Sequence, residues 1–295
     1  MKVLIDTDPG TDDALALILA LNSPALEILG LTTVAGNASL ALTTRNALRI
    51  LEYMGHPDIP VYRGASRPLK GHFTYAYYYH GPAGLTVRLP TPKSKPSAVA
   101  ARQAIVDSAK AYPGELTLIA LGPLTNVARA IQDEPALPEL LKEIYVMGGA
   151  VNVPGNVTPY AEFNIYDDAE AANVVFSSDA KITLVGLDVC HEPSVLRDDA
   201  EWFSGKSLGE KLVARIIRNW FKMRPDDDRY NLCDPLTVLA SLRPELFTYK
   251  QASVQVETQG ERLGETTAEF GSGRVRVAVD IDVAAAKDGV LAGLG

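Results

Sequence analysis

The sequence predicts an α/β protein with a mostly parallel central sheet flanked by helices and a C-terminal β hairpin. Apolar runs of strand length alternate with stretches of helical period along most of the chain. The strand-length runs are rich in Val, Ile and Leu at consecutive positions, as expected of strands covered on both faces. Near the C-terminus, alternating or β-branched segments are set among glycines instead.

In chain order, Val3–Ile5 reads as the first strand, and Asp12–Leu21 as a helix that begins beyond the Pro9-Gly10 turn. Ile28–Val34 and Ile59–Tyr62 are further strands with the helix Leu40–Met54 between them, which makes βαβαβ. After a less regular middle the rhythm resumes. Ala98–Ala111, Thr125–Ile131 and Ala169–Ser177 are helical; Leu116–Leu121, Glu143–Met147 and Lys181–Val185 are extended. Leu208, Leu212, Ile216 and Trp220 recur every four residues and make Ser207–Met223 an amphipathic helix. Ser253–Glu257 and Arg274–Asp282, around Gly260, Gly264, Gly271 and Gly273, form the terminal hairpin. Two stretches break the pattern and are read as loops: Gly71–Gly81, crowded with aromatics, and the polar run Arg224–Tyr230. Tyr77, Tyr78 and Tyr79 are candidates for a lid or a dimer interface, and Tyr230 for a lid.

At 295 residues and 47% apolar composition, the chain suits one large domain over 1–295. A formal charge of −8 with no Lys/Arg-rich stretch argues against a nucleic-acid polymer as partner. No apolar window reaches the roughly 18 residues of a membrane span, and the N-terminus lacks the charged and apolar regions of an export signal. Cys190 and Cys233 lie far apart and do not suggest a disulfide framework, so a reducing cytoplasm is expected.

The chemistry concentrates in Asp6-Thr7-Asp8-Pro9-Gly10-Thr11-Asp12-Asp13, at a strand end, a turn and a helix start. Two carboxylates about 5 Å apart repel by roughly 3 kcal/mol at an effective dielectric near 20. Four of them call for a positive charge. A hard divalent cation such as Ca²⁺ or Mg²⁺ takes oxygen ligands, and no Cys/His spacing here suits zinc. Helix capping offers a plainer account: Asp12 and Asp13 favour the helix dipole while Thr11 or Asp8 caps. It covers two of the four acids, and Asp6 and Asp8, placed before the Pro-Gly turn, keep the functional reading ahead.

The run Asp6 to Ala14 resembles the N-terminal signature of the inosine-uridine-preferring nucleoside hydrolase family. The resemblance continues in order through Thr32-Thr33-Val34-Ala35-Gly36-Asn37, His80-Gly81, Gly122-Pro123-Leu124-Thr125-Asn126, Met147-Gly148-Gly149, Ala161-Glu162-Phe163-Asn164 and Asp234-Pro235-Leu236. It implies a Rossmann-like nucleoside hydrolase fold and a calcium-dependent enzyme that cleaves ribonucleosides to free base and ribose. By the same resemblance Asp8, Asp13, Asp234 and the Leu121 backbone carbonyl hold calcium. Asp8 doubles as general base toward the metal-bound water. Asp12, Asn37, Asn156, Glu162 and Asn164 bind the sugar, where oxygen-rich groups stabilise an oxocarbenium-like transition state. Asp6 supports the site from behind rather than as a principal ligand. A homodimer or homotetramer is implied as well.

The base side departs from the family pattern. Well-known members carry a histidine before the last metal-ligand aspartate, and Cys233 stands there in this chain. A thiol is a weaker donor than imidazolium, which leaves Cys233 to pack against the departing base while Tyr230, His80 or an aspartate of the Arg224–Tyr230 loop supplies the proton, or a substrate that needs little acid help. Met147 suits packing as well as substrate contact. Asn126 reads as a cap for the helix at Thr125, and Cys190-His191 as structural. Two rival functions remain from the sequence: a haloacid-dehalogenase-like phosphatase using Asp6 and Asp8, and a non-catalytic nucleoside-binding protein. Purine or pyrimidine preference is not legible.

Overall fold

The computed structural model describes residues 1–201 and 205–295. Six strands run parallel: β1 (Lys2–Thr7), β2 (Glu27–Thr33), β3 (Val61–Arg63), β4 (Leu116–Ala120), β5 (Glu143–Met147) and β6 (Ile182–Val185). Their spatial order is β6-β5-β4-β1-β2-β3. The chain therefore winds outward from β1 through β2 to β3 and then restarts on the other side of β1 with β4. The carboxyl ends of β1 and β4 flank the crevice where this reversal splits the covering loops, the usual ligand position in open α/β sheets. The aspartate run leaves the end of β1, and Leu121 to Asn126 leave the end of β4.

Alternation along these strands explains why both faces are apolar. On β1, Val3 and Ile5 join one buried core, together with the helices Thr11–Asn22, Leu208–Met223 and Cys233–Leu242. Leu4 joins a second core with Ile105, Val127, Ala128 and Val175 on the opposite face. Ile144 and Val146 of β5 share this second core, while Tyr145 and Met147 face the first. No helix among the described residues is long and apolar enough to cross a membrane.

The C-terminal region is more elaborate than a two-stranded hairpin. β7 (Ser194–Leu196) and β8 (Arg229–Asn231) form a small antiparallel ribbon apart from the main sheet. β9 (Phe247–Val256) pairs antiparallel with both β10 (Thr266–Phe270) and β11 (Val275–Ile281), and β11 joins β6 in parallel. The expected antiparallel pair is thus β9 with β11, and β10 adds an outer strand. The two stretches read as loops also carry structure. Tyr77–His80 is one helical turn, and the second stretch ends in β8. Tyr230 is fully buried in that strand, with its ring edge-on to Trp220 at 5.0 Å between centroids, so it is a core residue and not a lid.

Candidate active site

The strand period places Asp6 on the Leu4 face of β1, toward the helix Thr125–Asp133. Its Oδ1 accepts hydrogen bonds from Thr32 Oγ1 (2.6 Å) and Asn126 Nδ2 (2.8 Å). Asn126 is no helix cap. Its Nδ2 also donates to the Thr33 carbonyl (3.1 Å), and its Oδ1 accepts from the Ala65 N–H (2.9 Å), so one amide ties β1, β2 and the following loop together. Gly64 permits this approach, since a methyl there would collide with the Asn126 amide. Burial pushes the Asp6 carboxyl up to about 7, and Asp6 does not line the cleft described below.

Beyond β1 the Pro9-Gly10 turn starts the helix Thr11–Asn22, and Asp13 faces back across the turn. Asp13 accepts from Thr7 Oγ1 (2.5 Å), the Asp8 N–H (3.1 Å), the Gly10 N–H (2.9 Å) and Asn37 Nδ2 (2.9 Å). The capping and functional readings therefore meet in one residue: Asp13 closes the helix start and is fixed for any further role. Asp8 Oδ2 accepts the Asn37 N–H at 2.6 Å, while Asp8 Oδ1 is buried without a partner. Gly36 and Gly122 flank this carboxylate so closely that a methyl at either would strike it.

A cleft of about 260 Å³ opens at this end of the sheet, and Asp8 and Asp13, both fully buried, do not line it. Asp12, Asn37, Leu121, Asn156, Glu162, Asn164, His80, Cys233 and Asp234 all line it, so most of the residues singled out in sequence share one cavity. Glu162 caps the helix Phe163–Asp167: Oε1 accepts the Asn164 N–H (2.9 Å), and Oε2 accepts those of Gly149 (3.0 Å) and Ile165 (3.1 Å). Asn164 Nδ2 donates to the Leu121 carbonyl at 2.8 Å and reaches the Met147 carbonyl and sulfur at 3.3 Å each. Met147 thus braces a cleft residue and also lines the cleft.

Burial raises the carboxyl groups of Asp8, Asp13, Glu162 and Asp234 and pushes Asp12 up to about 6; neighbouring carboxylates add to the rise in Asp8, Asp13 and Asp234. One oxygen each of Asp12, Asp13 and Asp234 lies within 4.8 Å of the others, and no described donor bonds Asp234. The converging trio contains Asp12, where the sequence reading expected Asp8. Packed carboxylates with no Lys or Arg paired to them among the described residues, and the unpartnered Asp8 Oδ1, suit a hard divalent cation, whose charge would relieve the repulsion.

Beside Asp12, whose Oδ1 lies 3.8 Å away, His80 Nδ1 accepts the Thr11 N–H at 3.0 Å and sits 2.9 Å from Thr11 Oγ1. Burial lowers the ring to about 4, so it is neutral at physiological pH with its proton on Nε2. The Cys190 thiol beside Cys233, together with burial, pushes Cys233 well up and keeps it a thiol. Tyr230 does not reach the cleft wall. Arg224 does, and the sequence reading missed it. Its guanidinium pairs with Asp227 and lies over the Tyr79 ring at 5.2 Å and the Trp220 ring at 5.6 Å. His191 also lines the cleft, while Cys190 is buried behind it. Asp167 and Asp168 were also missed. They accept the Thr74 N–H (2.9 Å) and the Leu69 N–H (2.8 Å) and so anchor the segment that leads into Tyr77–His80.

Residues 3–288 match the model of the family described as inosine-uridine preferring nucleoside hydrolase. Uridine nucleosidase 1 of Arabidopsis thaliana is 45% identical over 276 residues, covering 92% of this chain and 82% of that protein. The structure of a plant nucleoside hydrolase, the PpNRh1 enzyme, superposes with a TM-score of 0.93 at 36% identity over 99% of this chain and 98% of that one. The purine-preferring ribonucleoside hydrolase from Gardnerella vaginalis gives the same TM-score at 30% identity, with 100% and 98% covered.

Proposed function

This chain belongs to the inosine-uridine preferring nucleoside hydrolase family, which hydrolyses the N-glycosidic bond of ribonucleosides, and we propose that uridine is its preferred substrate, calcium its metal and Asp8 its general base. The phosphatase reading lapses with that membership. The observation that carries the mechanism is Asp8 Oδ1, buried and without a partner at the switch point of the sheet. An acceptor in that state is poised to take a proton from a water attacking the anomeric carbon. The Asn37 N–H holds the other carboxylate oxygen and so fixes the direction in which Oδ1 points.

Asp8, Asp13, Asp234 and the Leu121 carbonyl are the groups that would hold the cation. When bound, it supplies the positive charge that acidifies a water and grips the ribose diol. Asp12, Asn37, Asn156, Glu162 and Asn164 orient the sugar hydroxyls. Their oxygens also surround the ring where positive charge develops as the bond to the base breaks. The three N–H groups bonded to Glu162 spare it any reorganisation during that step.

At the departing base, the neutral His80 Nε2–H and the Cys233 thiol are weak donors. Arg224 is the guanidinium on the wall, and we assign it to the base side. A fixed cationic donor stabilises negative charge on a carbonyl oxygen of uracil without a full proton transfer. The name of the Arabidopsis thaliana relative supports a uridine substrate as well. We also propose a single catalytic domain over 1–295, a homodimer or homotetramer, and a cytoplasmic location in keeping with two free thiols.

The test is a panel of uridine, cytidine, inosine, adenosine and guanosine, with and without chelator, in which free ribose and free base are measured. Fastest release from uridine, lost on chelation and restored by calcium, is the expected outcome. Tight ribonucleoside binding without release of base would instead mark a non-catalytic binding protein.

A further inference from the structure

A second cavity, of about 240 Å³, opens beside the carboxyl end of the edge strand β3 and shares no wall residue with the cleft. Arg45 of the helix Leu40–Tyr53 and Arg63 at the end of β3 stand at it, and Leu48, Pro92 and Pro96 supply apolar wall. Neither arginine, nor Arg88 nearby, has a carboxylate within ion-pair distance among the described residues. Arg49, one turn along from Arg45, donates Nε to the Pro90 carbonyl at 3.1 Å. Burial, and the positive charges of Arg45 and Arg88, lower its guanidinium. Glu52 is the acid close by, and its Oε1 is committed to the N–H groups of Lys93 (2.7 Å) and Ser94 (2.6 Å). Lys93 and Lys95 add two more cations to the same loop.

A cluster in which Arg45, Arg49, Arg63 and Arg88 all lack an ion pair among the described residues, with Glu52 as the acid beside it, is out of character for a chain of net charge −8. Like charges gathered at a cavity raise the free energy of the empty protein and lower that of a complex with an anion. Guanidinium groups present planar forks that match phosphate oxygens, while rigid proline and leucine walls suit an apolar organic group. We propose that this cavity binds a phosphate monoester, with Arg45 and Arg63 on the phosphate and Leu48, Pro92 and Pro96 against the organic part.

Phenyl phosphate and inorganic phosphate, titrated calorimetrically into the whole protein at constant ionic strength, test this directly. Phenyl phosphate is expected to bind saturably and more tightly than inorganic phosphate. Arg45→Ala/Arg63→Ala should weaken it by about tenfold or more while leaving ribonucleoside hydrolysis and thermal stability unchanged. Absence of saturable binding at millimolar ligand, or undiminished binding by the double variant, overturns the site. Equal affinity for the two ligands overturns the role given to the apolar wall.

Discussion

Replacing Asp234 by Asn should make the protein more stable without metal and less stable with it. Asp234 is only 2% exposed, and one of its oxygens lies within 4.8 Å of an oxygen of both Asp12 and Asp13. At an effective dielectric near 20, each ionised pair at that separation costs about 3.5 kcal/mol or more, so full ionisation of the two pairs would cost at least about 7 kcal/mol. Proton uptake relieves much of it, because burial and neighbouring charge raise Asp234 well above the usual carboxylate range. A net gain of about 1–3 kcal/mol for Asp234→Asn in chelator is what remains, or several degrees in Tm. Saturating calcium reverses the order. The parent protein gains about 4.1 kcal/mol at a thousandfold excess over Kd, and the variant, lacking one of the proposed carboxylate ligands, gains far less. Thermal denaturation of both proteins in chelator and in calcium measures all four values. A variant less stable than the parent in chelator, or one with the same calcium gain, refutes the reasoning.

Asn126→Ala removes bonds to Asp6, Thr33 and Ala65 and leaves buried groups unpaired; a loss of about 3 kcal/mol in urea denaturation is expected, and a loss below about 0.5 kcal/mol would return Asn126 to a local role. Cys233→Ala should lower kcat by less than about tenfold, because a neutral thiol contributes little to the departing base; a loss of about a thousandfold would instead identify Cys233 as the acid. In chelator, stability should fall as pH rises from about 5 to 8. Asp12, Asp6 and Asp167 are pushed up to about 6, 7 and 8, against roughly 3.9 for an unfolded carboxyl, so over this range the folded state holds more protons than the unfolded one. A urea midpoint that is flat or rises with pH would contradict these shifts.

The parallel half of the sheet was legible because β1, β2, β4, β5 and β6 are apolar on both faces and are spaced by helical stretches, a pattern that depends on local sequence alone. The aspartate run was legible for the same reason: Asp8, Asp12 and Asp13 lie within one turn of β1, and the turn itself brings them together. Asn126 was misread because its partner Asp6 lies 120 residues away, whereas capping is a local preference that any Asn near a helix start satisfies. Arg224 and Tyr230 lie six residues apart in one polar stretch, yet one faces the cleft and the other the core. What separates them is the pairing of β8 with β7, a short ribbon whose three-residue strands have no periodicity to read. The outer strand β10 was hidden likewise, since Thr266–Phe270 gains its place only by pairing with β9.

The proposed action of Asp8 on the attacking water is open to a direct test. Asp8→Asn keeps the shape and can still accept the Asn37 N–H through its amide oxygen, but it cannot take up a proton. Uracil release from uridine by this variant in saturating calcium, with binding of uridine followed in parallel, is the direct measurement. A fall in kcat of about a thousandfold or more, with uridine still bound, is predicted. Release within about tenfold of the parent rate would contradict this role and move the general base to another residue, one that lines the cleft.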